Sequence, residues 1–145
     1  MIGIIVVTHL DFATNLVTAA ERVLGKQRNI LGLNLHRNAF VDDMVRSISN
    51  GIQECLTNPE EPVTGVLILT DLFGSTPTNA SLKQLQTTDH LVEVVTGVNL
   101  SMVISALTYR KRLPLKELVE KVISDGQKGI RNAKLVVLRS EASDQ

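Results

Sequence analysis

The chain has 145 residues, 43% of them apolar, with fifteen basic side chains balanced by fifteen acidic ones and a single cysteine, Cys55. That size and apolar share suffice for a buried core, zero net charge leaves no electrostatic footprint for nucleic acid or an anionic membrane, and one thiol excludes an internal disulfide. No apolar run approaches the roughly 20 residues of a membrane span, and the opening "MIGIIVVTHL" lacks the basic flank and cleavage pattern of a secretory signal, so a cytoplasmic protein without membrane insertion is expected.

Ile2 to Thr8 is a short continuous apolar run of β-branched character, the mark of a strand buried on both faces. It breaks at His9, Leu10 and Asp11, and apolar residues at helical spacing then run from Phe12 to Leu24, closed by Gly25, with Asp11 as the expected N-cap. Ile30 to Leu35 is a second strand, His36 to Phe40 a turn, and Val41 to Leu56 a helix. Val63 to Thr70 is a third strand that runs into "TDLFGSTPTNAS", where Asp71 ends the strand, Gly74 permits a tight turn, Thr76 is placed to cap and Pro77 suits the first position of a helix reaching Leu85. Leu91 to Thr96 is a fourth strand, followed by a turn at Gly97 to Asn99, helices over Leu100 to Tyr109 and Leu115 to Ile130, and a last strand at Leu135 to Leu138.

Strands alternating with helices imply parallel pairing through right-handed crossovers, so the expected fold is α/β: a doubly wound, mainly parallel sheet of order 2-1-3-4 with helices on both faces and the last strand at an edge. One domain is expected over residues 1–138, with 139–145, "RSEASDQ", a polar frayed tail. Sheets of this kind bind ligands outside the carboxyl ends of their strands. There the order 2-1-3-4 places His9 beside Asp71.

Taken singly, His9 is compatible with a structural residue and Asp71 with a turn cap. Together they suit a different chemistry. A carboxylate accepting the Nδ1 hydrogen of a histidine leaves Nε2 as a directed lone pair, which makes His9 a nucleophile. For a phosphoryl electrophile, helix N-termini after His9 and after Gly74 aim backbone N–H groups at its oxygens, with the hydroxyls of Thr8, Ser75 and Thr76 as further donors. His36 reads as a loop residue near the same edge and His90 as a surface residue at the opposite one, and three scattered histidines make a poor metal site. "YRKR", Tyr109 to Arg112, reads as a solvated helix end.

At these residues the sequence resembles a known family. "GIIVVTH", "GVLILTDLFGSTPTNAS" and "VVTGVNLSMVISAL", in that order, are similar to the enzyme IIA component of the mannose-type sugar phosphotransferase system. The resemblance implies that His9 takes a phosphoryl group from the histidine phosphocarrier protein and passes it to a IIB component, with Asp71 bonded to the histidine and Leu10, Asp11 and Thr76 near the phosphoryl group. It further implies a rim formed by Phe73, Gly97 and Asn99, a homodimer in which Leu135 to Leu138 is exchanged, and no cofactor. A related role as a solitary regulatory phosphoprotein, or as carrier for a dihydroxyacetone kinase, follows from the same resemblance. Two positions depart from the family: Leu10 stands where it generally has glycine, and Gly74-Ser75 where it has Gly-Gly.

Other classes fit less well. Small α/β chelatases need further His or Glu ligands in one cavity, and only His36 shares the edge. A histidine phosphatase needs an Arg where Thr8 stands, and a receiver domain needs an acidic pair there.

Overall fold

The computed structural model describes residues 1–36, 40–87 and 91–137. Four strands, β1 (Ile2–His9), β2 (Ile30–Leu35), β3 (Gly65–Thr70) and β4 (Val92–Thr96), form an all-parallel sheet of order β2-β1-β3-β4. The helices are α1 (Phe12–Leu24), α2 (Val41–Thr57), α3 (Thr76–Thr87), α4 (Leu100–Tyr109) and α5 (Leu115–Lys128). The expected order 2-1-3-4 is the observed one.

The strand period of two divides the core into two layers. Ile4 and Val6 of β1, with Leu67 and Leu69 of β3, face α1, α4 and α5. Ile5 and Val7, with Val66 and Ile68, face α2 and α3. Each such side chain contributes about 1.5–3 kcal/mol when fully buried, which is why the two central strands read as unbroken apolar runs. The edge strands are less covered than their apolar composition predicts. β2 is half-buried over most of its length, and in β4 Glu93 is exposed.

Register positions the site. Val7 of β1 lies opposite Thr70, the last residue of β3, so Thr8 and His9 overhang the end of β3 where the chain turns at Asp71. On the other side His9 is still paired with Leu35. Helix α1 sits close over β2 because Gly32 has no side chain. A Cβ there would lie 3.0 Å from the backbone nitrogen of Thr14, so glycine lets the first turn of α1 rest on the strand.

The expected last strand is corrected. Residues 133–137 form a helical turn, with the Leu135 N–H donated to Asn132 Oδ1 (3.3 Å) and the Val136 N–H to the Asn132 carbonyl (3.2 Å). A strand draws its hydrogen bonds from a neighbour, and this segment is not part of the four-stranded sheet. An asparagine just ahead of it instead satisfies its N–H groups locally. Leu135, Val136 and Val137 remain exposed. Leu138, the tail 139–145 and His90 lie outside the described residues.

Candidate functional site

His9 ends β1 and Asp71 follows β3, and the two side chains meet. His9 Nδ1 lies 2.7 Å from Asp71 Oδ2, and the same oxygen accepts the His9 backbone N–H at 2.9 Å. The other carboxylate oxygen accepts the Leu72 N–H at 2.8 Å and the Ser75 hydroxyl at 3.5 Å. Partial burial alone pushes the Asp71 carboxyl up, but the donors from His9 and Leu72 outweigh it and hold the group below the usual aspartate range. Asp71 is therefore ionised at neutral pH. An ionised carboxylate only accepts, so the contact requires the hydrogen on Nδ1, and in the neutral ring the lone pair then sits on Nε2. The side chains differ in access: His9 is 50% exposed and Asp71 16%.

Behind Asp71 the turn is braced by hydroxyls. Thr78 donates to the Leu72 carbonyl (2.7 Å), lies 2.8 Å from the hydroxyl of buried Thr70, and is 3.3 Å from that of Ser75. Gly74 takes the left-handed conformation, φ 78°, that closes the turn. The expected cap shifts by one residue. Thr76 is already the first residue of α3, and Ser75 precedes it, with its carbonyl accepting the Asn79 N–H at 2.9 Å. Phe73 projects from this turn into solvent.

The first turn of α1 also differs from expectation. Asp11 occupies the N-cap position, but its side chain makes no capping bond. Asn34 of β2 does that work from the neighbouring strand: its Oδ1 accepts the Thr14 N–H (3.3 Å) and its Nδ2 donates to the Thr14 hydroxyl (3.1 Å). The Thr14 hydroxyl in turn donates to the Asp11 carbonyl (3.1 Å). Asn34 and Thr78 escaped the sequence reading. The one signal for Asn34 was an amide side chain in the otherwise apolar "ILGLNL" at the ligand edge.

Thr8 is buried, and its hydroxyl donates to the carbonyl of His9 at 3.3 Å, so it supports the strand end from beneath. Leu10 has φ 49°, a region that costs an ordinary residue roughly 1–2 kcal/mol, and its N–H continues the sheet by donating to the Leu35 carbonyl at 2.9 Å. Gly97, with φ 86°, donates its N–H to the Asp71 carbonyl at 3.2 Å, so the turn after β4 abuts the site. Asn99 is turned to the fold instead. It caps α4 by accepting the Met102 N–H (3.1 Å) and donates to the Gly126 carbonyl (3.3 Å). His36 is exposed. Among the described residues no three His, Cys, Asp or Glu side chains are grouped to hold a metal ion, and no helix is long and apolar enough to cross a membrane.

The fold and site define a parallel α/β protein that presents a carboxylate-oriented histidine at the C-terminal edge of its sheet, where such folds gather ligands. Comparison with known proteins narrows that class. The family model for the PTS system fructose IIA component matches residues 3–123, and the chain belongs to this family of the sugar phosphotransferase system. The PTS system fructose-specific EIIA component of Bacillus subtilis (strain 168) is 26% identical over 131 residues, 90% of this chain and 86% of that protein. The PTS system mannose-specific EIIAB component of Escherichia coli (strain K12) is 28% identical over 134 residues, 92% of this chain, which spans only 40% of that longer protein. Among solved structures, a phosphotransferase system component EIIA from Streptococcus agalactiae superposes with a TM-score of 0.82 at 29% identity, covering 93% of this chain and 99% of that one. Proteins of the family are phosphotransferases that carry phosphoryl groups in sugar uptake.

Proposed function

We propose that His9 is the phosphoryl-carrying residue, accepting the group from the histidine phosphocarrier protein through Nε2 and passing it to a IIB component. The observation that supports this most directly is the 2.7 Å contact between Nδ1 and ionised Asp71 on a ring that is half exposed. One nitrogen is committed and the other is free and accessible.

The step balances without moving a proton. The donor's phosphohistidine, protonated on its other ring nitrogen, loses its P–N bond and departs as a neutral imidazole. The Nε2 lone pair of His9 forms the new P–N bond, and the positive charge that develops on the ring is met by Asp71, which keeps its hydrogen bond from Nδ1. The backbone N–H groups opening α1 and α3 suit the phosphoryl oxygens. Asp11 directs no side-chain bond to those of α1, and Thr76 adds a hydroxyl at the start of α3. Donor and product are both phosphoramidates, so the exchange runs near balance and reverses toward the acceptor.

The same reading includes a homodimer, for which exposed Ile130, Leu135, Val136 and Val137 supply apolar surface. The test of the carrier role is direct. Incubation with phosphoenolpyruvate, enzyme I and the phosphocarrier protein should add one acid-labile phosphate, located on His9 by mass spectrometry, and His9→Ala should take none. Undiminished acid-labile phosphate on His9→Ala would sink the assignment.

A further inference from the structure

A single buried hydroxyl ties together the residues on either side of Asp71. Thr78, on the first turn of α3, reaches back across the Gly74 turn, where its hydroxyl donates to the Leu72 carbonyl at 2.7 Å and lies 2.8 Å from the hydroxyl of Thr70. A threonine hydroxyl carries one hydrogen. Because that hydrogen is given to Leu72, Thr70 is the donor to Thr78. Thr70 and Leu72 flank Asp71 in the chain, so one oxygen holds the end of β3 and the residue after the carboxylate in a fixed relation.

Thr70 and Thr78 are 0% and 1% exposed. Hydroxyls taken out of water are tolerated when they are paired, yet two apolar side chains of the same shape would fill this space at little cost. What they would not do is fix Leu72. Its N–H donates to Asp71 Oδ1 at 2.8 Å, while Oδ2 takes the His9 backbone N–H at 2.9 Å and faces Nδ1 at 2.7 Å. If Leu72 turns, Oδ1 loses that donor and the carboxylate loses its aim at Nδ1. Ser75 backs the same oxygen less closely, its one hydroxyl hydrogen having Thr78 Oγ1 at 3.3 Å and Asp71 Oδ1 at 3.5 Å as acceptors. We infer that Thr78 is a positioning residue for phosphoryl acceptance: through Thr70 and Leu72 it fixes the Asp71 carboxylate, and so keeps the His9 ring in the tautomer with hydrogen on Nδ1 and the lone pair on Nε2. The inference rests on reading His9 as the phosphoryl acceptor. Thr78 is buried behind Asp71, so it acts on the aim of the ring and not on the docking of a donor.

The experiment compares Thr78→Val, Thr78→Ser and the double variant Thr70→Val/Thr78→Val in the full chain, with the histidine phosphocarrier protein, phosphorylated by enzyme I and phosphoenolpyruvate, as donor. Thr78→Val leaves the Thr70 hydroxyl buried without its partner, so it should lower the melting temperature and also lower kcat roughly tenfold, with KM near wild type. Thr78→Ser restores the hydroxyl and should recover kcat. The double variant separates aim from stability, because removing both hydroxyls relieves the unpaired group: its melting temperature should return toward wild type while kcat stays low. Nitrogen NMR of the neutral His9 ring should place the hydrogen on Nδ1 in the wild type and in Thr78→Ser, and distribute it over both nitrogens in the two variants without the Thr78 hydroxyl. A double variant that regains kcat along with stability, or whose ring keeps the wild-type tautomer, overturns the inference. Phosphate transfer to the wild-type chain with either of those results isolates the failure to Thr78; no transfer to the wild-type chain overturns this inference and the carrier role together.

Discussion

The two ends of the sheet treat ionisable groups in opposite ways. At the C-terminal edge Asp71 is surrounded by donors, and its histidine partner keeps one nitrogen open to solvent. At the N-terminal edge Arg110 is only 2% exposed, its Nη1 and Nη2 donating to the Asn29 carbonyl (3.1 Å) and to Gln27 Oε1 (3.2 Å), while its Nε finds no hydrogen-bond partner among the described residues. Burial pushes this guanidinium down from its ordinary value and pushes the nearby Cys55 thiol up to about 11. Arg110 ties the end of α4 to the loop before β2, and Cys55 packs against Gly3. Both ends carry charge or a nucleophile, but only one leaves a reactive atom both oriented and accessible. Exposure together with one unfilled lone pair separates chemistry from architecture in this fold.

That contrast can be broken by substitution. The largest effect is expected at the open end: Asp71→Asn keeps the shape but stabilises neither the developing imidazolium nor the required tautomer, and should slow phosphoryl acceptance by His9 by roughly 10²–10⁴-fold, measured by rapid quench. Native-like circular dichroism would show that the loss is chemical. A rate within a few-fold of wild type would remove Asp71 from the mechanism.

At the closed end the effect should fall on stability instead. Arg110→Ala deletes two hydrogen bonds and leaves a cavity, so chemical denaturation should show a loss of about 2–4 kcal/mol. Arg110→Met should lose less, because it fills the volume and removes a buried charge. In both, phosphate acceptance per folded molecule should match wild type, and a selective loss of acceptance would blur the division between the two ends.

The smallest effect is a pH signature. Asp71 is held below its ordinary value, so its contribution to stability is complete above the unfolded aspartate value of about 3.9 and is lost as pH falls through the lower folded value. Denaturation midpoints followed from pH 6 downward should therefore show a shallower acid limb in Asp71→Asn than in wild type. Parallel limbs would mean that the His9 and Leu72 donors do not stabilise the carboxylate.

Much of this architecture was legible because it rests on short-range rules. The apolar runs of β1 and β3 and the helical spacing between strands determined the elements, and the right-handed crossover rule narrowed the topology to a few doubly wound orders, of which the expected β2-β1-β3-β4 is the one observed. The same topology brought His9 and Asp71 to one edge before any contact was seen. The strand expected at Leu135 to Leu138 went the other way, since residues 133–137 are helical and a short apolar run becomes a strand only where a partner offers hydrogen bonds, which sequence pattern cannot supply.

What the sequence determined by itself was which chemical groups stand near the ends of the central strands, because the unbroken apolar runs of β1 and β3 give way there to polar residues. The tertiary structure decided how those groups are used. It assigned both Asp71 oxygens their donors, moved the cap of α1 from Asp11 to Asn34 on the neighbouring strand, turned the Thr8 hydroxyl beneath the site and held Leu10 at φ 49°. These outcomes depend on groups far apart in the chain competing for the same hydrogen bonds and the same space, and only the folded arrangement resolves that competition.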